Sequence, residues 1–207
     1  MDKIVCVGKN YMDHAKELGD AIPEKPVLFI KPKSILRAAV DHEELSLVIP
    51  QVSSSLHFEA EIVLRLDKGG SQLDLKEAEK AIGAVSIGLD MTLRDLQAKL
   101  KKEGHPWTTS KVFPDSAIVG PWLRVSEFPN YLEEKFTFSL DDKVKQESFG
   151  KNMMMSPIEC VSYISKFFFF FSGDLIFTGM PAGVGPVVAG QRGVLSFGSI
   201  RYSVLWS

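Results

Sequence analysis

Three acidic residues have the types and spacing of a site for a hard metal ion. Glu59 and Glu61 alternate with apolar residues within 56–66, which predicts a strand that carries both carboxylates on one face. Asp90 ends the apolar run 85–89, at the point where a helix is predicted to begin. Oxygen ligands without thiols favour magnesium, with manganese or calcium as alternatives, over zinc. The competing interpretation is a solvent-exposed strand face, which explains Glu59 and Glu61 equally well when they are considered without Asp90.

A second group, near the N-terminus, has the residue types of an acid–base pair. His14 and Glu17 are three residues apart in a stretch with helical spacing, so they would share one face of a short helix. A histidine oriented by a carboxylate can act as a general base that activates water. From spacing alone, an exposed histidine beside a helical neighbour is the simpler interpretation. His57, on the same face as Glu59, is a candidate metal ligand or a neighbour of the ligands.

Several cationic and amide side chains could hold an anionic substrate near these carboxylates. Arg94 and Gln97 fall in the first turns of the helix predicted after Asp90, and Lys111 follows the segment 107–110. Lys111 could stabilise an oxyanion or bind a carboxylate. A surface ion pair is an equally good interpretation of Arg94.

A serine hydrolase is the rival chemistry. The segment Ala84-Val85-Ser86-Ile87-Gly88 faintly resembles a nucleophile elbow, in which a strand ends at the serine and a helix starts there. Here the apolar run continues past Ser86 to Leu89, which argues against an elbow.

The elements that must position these residues are mostly short strands. Strands are predicted at residues 4–7, 27–30, 45–49, 56–66, 84–89, 135–140, 143–147, 175–178, 193–197 and 200–205. Helices are predicted at residues 10–18, 74–82, 92–103 and 156–168, the second and fourth opened by capping-box patterns. Because strands outnumber helices and do not alternate regularly with them, we expect one α+β domain, mainly β, over residues 1–207.

Composition and charge argue against a nucleic-acid-binding or membrane-spanning protein. The net charge of −2 and the scattered basic residues give no reason to expect nucleic acid as a partner. The cluster Lys99, Lys101 and Lys102 is interpreted as a solvated helix end that complements the helix dipole. The aromatic run 167–171 is far too short to cross a membrane, so no membrane partner is expected either. Two distant cysteines and the lack of a signal-peptide pattern indicate a cytoplasmic protein.

Taken in order, these segments resemble the fumarylacetoacetate hydrolase family over nearly the whole chain. The matching stretches are Val7-Gly8-Lys9-Asn10-Tyr11 with His14 and Glu17, Phe29-Ile30-Lys31-Pro32, His57-Phe58-Glu59-Ala60-Glu61, Gly88-Leu89-Asp90-Met91-Thr92 with Arg94, Asp95 and Gln97, and 177–185. The short N-terminal start is most similar to the branch of acylpyruvases, oxaloacetate decarboxylases and hydroxymuconate isomerases.

The resemblance implies a mixed β-sandwich and β-roll with a few short helices and a helical lid at about 9–22, usually as a homodimer. It implies Mg²⁺ held by Glu59, Glu61 and Asp90, and catalysis by His14, Glu17 and Lys111. Substrate contacts are expected from Arg94, Gln97, Thr178 and Lys31. The aromatic run 167–171 departs from the family and is expected to form a core wedge or part of a dimer face, because contiguous apolar stretches are usually buried.

The reaction implied first is hydrolysis of a C–C bond in a 2,4-dioxo acid such as an acylpyruvate or fumarylpyruvate. The metal would stabilise the enolate, while His14, oriented by Glu17, activates the attacking water. Decarboxylation or tautomerisation of oxaloacetate, and isomerisation of a hydroxymuconate, are alternatives that use the same ligands. A binding protein that keeps the metal but has lost catalysis is a more remote alternative, and the intact His14–Glu17 pair argues against it.

Overall fold

The computed structural model describes residues 1–12 and 25–207. The predicted His14–Glu17 pair and most of the predicted lid lie outside the described residues, so both remain predictions.

In the described residues, strands predominate, as expected. They are β1 (Lys3–Gly8), β2 (Val27–Pro32), β3 (Leu36–Ala38), β4 (Glu44–Leu47), β5 (Leu56–Phe58), β6 (Ala60–Leu66), β7 (Ile82–Asp90), β8 (Thr92–Leu93), β9 (Ala117–Val119), β10 (Leu123–Arg124), β11 (Lys135–Leu140), β12 (Lys143–Phe149), β13 (Leu175–Phe177), β14 (Gly185–Pro186), β15 (Arg192–Phe197) and β16 (Ile200–Trp206).

The helices of the described residues are few and short. They are α1 (Leu75–Ala81), α2 (Arg94–Glu103), α3 (Thr108–Lys111) and α4 (Pro157–Ile164), with 3-10 turns at Lys33–Ile35 and Gly150–Asn152. The predicted capping boxes are present. The side chains of Asp74 and Ser156 each accept a hydrogen bond from the backbone N–H three residues on, and their own N–H groups donate to the side chains of Glu77 and Glu159. None of the described helices is long and apolar enough to span a membrane.

Three sheets organise the described strands. The largest has the order β2-β1-β13-β6-β7-β9-β3, with β10 also paired to β7. A second sheet has the order β12-β11-β15-β16-β4, and a third joins β14, β5 and β8. Most neighbouring pairs are antiparallel, and the predicted hairpin β11–β12 is present, with a register shift between Phe138 and Ser139. The α+β, mainly β fold class is therefore confirmed; the single-domain boundary of 1–207 remains a prediction.

The centre of the largest sheet is the antiparallel pair β6–β7. Both strands are almost entirely buried, including Glu61 and Asp90 among their apolar residues. The second sheet packs on this pair through β11 and β15, and its Phe138 also contacts Phe58 of β5 with ring centroids 4.4 Å apart. Charged groups at the end of β6–β7 are consequently removed from bulk water, which strengthens every electrostatic interaction among them.

Two predicted elements are shorter than the sequence indicated. The strand expected at 56–66 is broken at Glu59 into β5 and β6, which belong to different sheets. The helix expected to reach 168 ends at Ile164, because the aromatic run turns back and Phe170 exchanges backbone hydrogen bonds with Gly70. In that run Phe170 is fully buried, whereas Phe167, Phe169 and Phe171 are more than half exposed. These three residues are therefore not part of a core wedge in the single chain, and their expected place in a dimer face remains a prediction.

A candidate metal centre

Glu59, Glu61 and Asp90 come together in the structure, as the sequence predicted. One carboxylate oxygen from each residue lies within 4.8 Å of the others, and all three side chains are buried. The arrangement follows from the β6–β7 pairing, in which Glu61 lies opposite Gly88 and the Asp90 N–H donates to the Glu59 carbonyl at 2.9 Å. The exposed-strand interpretation of Glu59 and Glu61 is therefore wrong.

Lys111 bridges two of the three carboxylates. Its Nζ donates to Glu59 Oε2 at 2.7 Å and to Asp90 Oδ2 at 2.8 Å, and its side chain is almost fully buried. Lys111 is the last residue of α3, a short helix that the sequence did not indicate. Burial alone would lower the pKa of Lys111, but Asp90 and Glu59 outweigh it and raise that pKa, so the side chain is a fixed cation.

Arg94 holds Glu59 from the other side. Its guanidinium donates to Glu59 Oε1 at 2.6 Å and to the side-chain oxygen of Gln97 at 2.7 Å. The hydroxyl of Thr92 donates to the same Glu59 oxygen at 2.9 Å. Burial would raise the pKa of Glu59, but Lys111 and Arg94 outweigh it and lower the pKa to about 2. Glu59 is consequently ionised at any physiological pH.

Glu61 differs from Glu59 because no lysine or arginine of the described residues forms an ion pair with it. Its Oε2 accepts a hydrogen bond of 2.7 Å from the Gly179 N–H. Burial, followed by the negative charges of Asp90 and Glu59, raises the pKa of Glu61 well above its ordinary value. Only glycine suits this position. Its φ of +96° is strained for other residues, and an added Cβ would lie 2.8 Å from the Cβ of Asn10.

The donor set fits a divalent cation with a preference for oxygen. Lys31, Arg94 and Lys111 form ion pairs with Glu59 or Asp90, whereas buried Glu61 has no cation beside it among the described residues and needs one to be ionised. Hard divalent ions bind through carboxylate oxygens and keep coordination positions for water or substrate. Glu59, Glu61 and Asp90 are thus the described residues that could hold a divalent metal.

A cavity opens directly above this cluster. It has a volume of about 40 Å³, and its walls include all three carboxylates together with Arg94 and Gln97. A larger cavity of about 490 Å³ lies beside it and shares four wall residues with it: Val27, Phe29, Trp107 and Lys111. A small anionic ligand in the first cavity would therefore contact the cluster and have space beside it for a longer tail.

Two residues expected to contact substrate occupy other positions here. Lys31 is fully buried, with its Nζ 2.6 Å from Asp90 Oδ1 and hydrogen-bonded to two backbone carbonyls. Thr178 is also fully buried, and its hydroxyl donates to the Ile62 carbonyl at 2.7 Å. Neither lines the cavity above the carboxylates, so their contact with substrate remains a prediction.

His57 lies outside the carboxylate cluster. Its Nε2 is 3.0 Å from the Ser55 hydroxyl, and its Nδ1 is buried without a partner. The break of the strand at Glu59 is the reason, because it removes His57 from the two-residue alternation that aligned it with the glutamates.

Two residues that support the centre were missed as site residues in the sequence. Gln146 on β12 accepts from the Ala60 N–H at 2.8 Å and donates to the Pro181 carbonyl at 2.9 Å. Asn10 joins the end of β1 to the carbonyls of Met155 and Thr178. No local pattern marks Gln146, since its partners are distant in the chain. Asn10 belongs to the family-like segment Val7-Gly8-Lys9-Asn10-Tyr11, but the sequence did not indicate its role.

Comparison with known proteins agrees with this fold. Residues 3–201 match the family model described as fumarylacetoacetate hydrolase C-terminal. The chain is 36% identical over 198 residues to oxaloacetate tautomerase YcgM of Escherichia coli, covering 95% of this chain and 89% of the relative. It is 37% identical over 191 residues to the mitochondrial oxaloacetate decarboxylase of Dictyostelium discoideum, covering 91% and 85%.

A solved structure gives the same result. Fumarylpyruvate hydrolase from Pseudomonas aeruginosa, in complex with Mn²⁺ and pyruvate, superimposes with a TM-score of 0.92 at 35% identity, covering 99% of this chain and 90% of that chain. A mainly β fold with a buried acidic cluster in a cation-lined cavity defines an enzyme class that uses a divalent metal. The chain belongs to the fumarylacetoacetate hydrolase family. Its relatives include bacterial and mitochondrial proteins, so the cytoplasm remains a prediction.

Proposed function

We propose that this protein is a magnesium-dependent enzyme that converts small 2-oxo dicarboxylic acids through their enol forms, with keto–enol tautomerisation of oxaloacetate as its first activity. The observation that carries the proposal is the buried cluster of Glu59, Glu61 and Asp90, bridged by Lys111, at the floor of a cavity. The family resemblance favoured C–C hydrolysis. The names of two relatives, an oxaloacetate tautomerase at 36% identity and an oxaloacetate decarboxylase at 37%, move chemistry on oxaloacetate ahead of it.

Charge supports a dianionic substrate. Three carboxylates are matched by three cations, Lys31, Arg94 and Lys111, each of which forms an ion pair with Glu59 or Asp90. A bound divalent ion would leave this group with two positive charges in excess. An oxo acid with two carboxylates would restore neutrality, and a cavity with excess positive charge concentrates such anions.

The described residues would supply binding and charge stabilisation. A divalent ion held by the three carboxylates would act as a Lewis acid that polarises the 2-oxo group and favours loss of a proton from C3. Lys111, fixed as a cation, would stabilise the negative charge that develops on the C2 oxygen, and Gln97 would orient the substrate from the cavity wall. His14, held by Glu17, would remove the proton from C3 and return it to the C2 oxygen, which completes tautomerisation.

Hydrolysis of a fumarylpyruvate-like acid is the second candidate. The observation that favours it is the adjoining cavity of about 490 Å³, which could hold the acyl part of a 2,4-dioxo acid. His14 would then take a proton from water, whose oxygen attacks the 4-carbonyl. The bond between C3 and C4 would break to release a carboxylic acid and the enolate of pyruvate, and His14 would return its proton to C3 of that enolate to give pyruvate.

Assays of purified protein with oxaloacetate, fumarylpyruvate and acetylpyruvate, before and after treatment with EDTA, test the proposal. We expect tautomerisation of oxaloacetate to be lost with the metal and to return on addition of Mg²⁺. Full activity after metal removal would overturn the proposal. Faster turnover of fumarylpyruvate than of oxaloacetate would reverse the order of the two candidates.

Substitution of His14 tests its role in both reactions. Loss of a general base typically lowers kcat by about 10²- to 10⁴-fold. We expect His14→Ala to lower the rate of tautomerisation to that extent while Mn²⁺ affinity stays unchanged. An unchanged rate would remove His14 from the mechanism. The homodimer also remains a prediction, which light scattering coupled to gel filtration would check.

A further inference from the structure

Two lysines besides Lys111 line the cavity above the carboxylates. They are Lys9, which follows β1, and Lys101, in the last turn of α2. Neither was predicted as a site residue, and Lys101 was interpreted as part of a solvated helix end. The cavity wall shows that this interpretation of Lys101 is incomplete.

Lys101 reaches the cavity because of its place on α2. Arg94, Gln97 and Lys101 are separated by three and four residues, so they follow one face of the helix, and all three line the cavity. The Nζ of Lys101 lies 5.0 Å from the centroid of the Trp107 ring, which is itself a wall residue. This cation–π contact favours a placement of the ammonium beside the cavity.

Lys9 enters the cavity wall through an uncommon backbone conformation. Its φ is +62°, in the left-handed region that a lysine seldom adopts. Strained backbone of this kind is concentrated at functional sites, where surrounding structure enforces it. Here Asn10, the next residue, is buried and hydrogen-bonded to the carbonyls of Met155 and Thr178, which fixes the chain immediately after Lys9.

The cationic residues of the cavity differ in exposure from its floor to its opening. Lys111 is buried against the carboxylates, Arg94 is partly exposed, and Lys101 is exposed. Positive charge therefore extends beyond the metal centre toward solvent, past the region where a 2-oxo carboxylate would contact the metal. A second negative group on the substrate would lie in this outer region.

We propose that Lys101 and Lys9 form a subsite for the second carboxylate of the substrate, the one remote from the 2-oxo group, and so select dicarboxylic over monocarboxylic oxo acids. This inference rests on the proposed function for the position of the first carboxylate. It adds the chemical group that the outer cavity recognises and the two residues that recognise it.

Binding of malate and lactate to the Mn²⁺-loaded protein, measured by calorimetry, tests the subsite without a reaction. Both are 2-hydroxy acids, which can bind a metal through the hydroxyl and the adjacent carboxylate, and malate differs by the second carboxylate. The variants are Lys101→Gln and Lys9→Gln. Lys102→Gln is the matched control, because Lys102 is an exposed neighbour on the same helix that does not line the cavity.

We expect wild-type protein to bind malate more tightly than lactate. Because a partly exposed ion pair contributes up to about 1 kcal/mol, each variant should weaken malate binding up to about fivefold. Lactate binding should change less than about twofold in either variant, and Lys102→Gln should change neither ligand. Added salt should weaken malate binding more than lactate binding.

The two proposals fail in distinguishable ways. If the wild-type protein binds malate no better than lactate, or if Lys101→Gln and Lys9→Gln weaken both ligands equally, the subsite is overturned, whatever the activity toward oxaloacetate. If oxaloacetate is not converted but malate binding depends on both lysines, the proposed reaction fails and the subsite stands. Thermal unfolding of each variant shows whether it is folded, and a folded variant without selective loss of malate binding counts against the inference.

Discussion

The Nζ of Lys31 lies 2.6 Å from Oδ1 of Asp90, and both side chains are fully buried. Lys31 donates hydrogen bonds to the Met91 and Ser116 carbonyls, so its ammonium lies between these two oxygens and the Asp90 carboxylate. Asp90 therefore has a cation on each side, Lys31 at Oδ1 and Lys111 at Oδ2. This relationship makes Lys31 a residue that positions a candidate metal ligand.

Replacement of Lys31 should damage both stability and metal binding. Removal of one partner from a buried ion pair typically costs about 3–5 kcal/mol, because the other charge stays buried without compensation. We expect Lys31→Met to lower the free energy of unfolding by about that amount and to weaken Mn²⁺ binding. Lys33→Met is the control, since Lys33 is exposed just beyond β2. Equal stability of the two variants would show that the pair with Asp90 contributes nothing.

Glu61→Gln should remove metal binding and leave the fold intact. The amide oxygen can still accept the Gly179 N–H, and the neutral side chain resembles the protonated form that burial favours without metal. A metal at 100 times its dissociation constant stabilises a protein by about 2.7 kcal/mol, and we expect this gain to disappear in the variant. Thermal unfolding with and without Mn²⁺ measures it. Glu79→Gln, an exposed change on α1, should keep the full gain.

Gln146 should be required for the position of Glu59 and Glu61. Its side chain holds the backbone of Ala60, the residue between them, and the loop carbonyl of Pro181. Gln146→Leu leaves one buried donor and one buried acceptor unsatisfied, which should lower stability by about 2–4 kcal/mol. Mn²⁺ titration should show weaker binding in the folded fraction. Lys145→Leu, an exposed neighbour on β12, should preserve the Mn²⁺ affinity, and an equal loss there would contradict the assignment.

Asp174 should make stability depend on pH. Burial would raise its pKa, but Lys3 and the N–H groups of Phe171, Asp2 and Lys3 outweigh it and lower the pKa. A carboxyl with a lowered pKa stabilises the fold above the ordinary aspartate value of about 3.9, and the contribution is lost as pH falls through the folded-state pKa.

Asp174→Asn should therefore be less stable than wild type by about 2 kcal/mol at pH 7, because a charge-assisted set of hydrogen bonds is weakened. The difference should shrink as pH falls below about 4, where the unfolded chain takes up a proton that the folded carboxyl binds only at its lowered pKa. Urea unfolding across this range measures it, with Asp142→Asn, an exposed turn residue, as the control. A difference that stays constant with pH would show that the charge of Asp174 is not the cause.

The sequence was informative where the signal is local. The capping boxes of α1 and α4, the β11–β12 hairpin and the apolar strand β7 each depend on residues close together in the chain. The alternation of polar and apolar residues is also a local signal, and it predicted that Glu59 and Glu61 lie on the same side of the chain. The ordered motifs, taken as a resemblance, then indicated the family that the comparisons confirmed.

The tertiary structure decided what depends on distant partners. The break at Glu59 depends on which sheet each half of the strand joins, and the bridging position of Lys111 depends on the packing of α3 against β8. The sequence determined which carboxylates could bind a metal, because residue type and alternation are local. Only the fold decided that Lys31 and Lys111 would compensate the charge of Asp90, and that Glu61 would have no such cation among the described residues. The reason is that burial and charge pairing are set by contacts between distant segments of the chain.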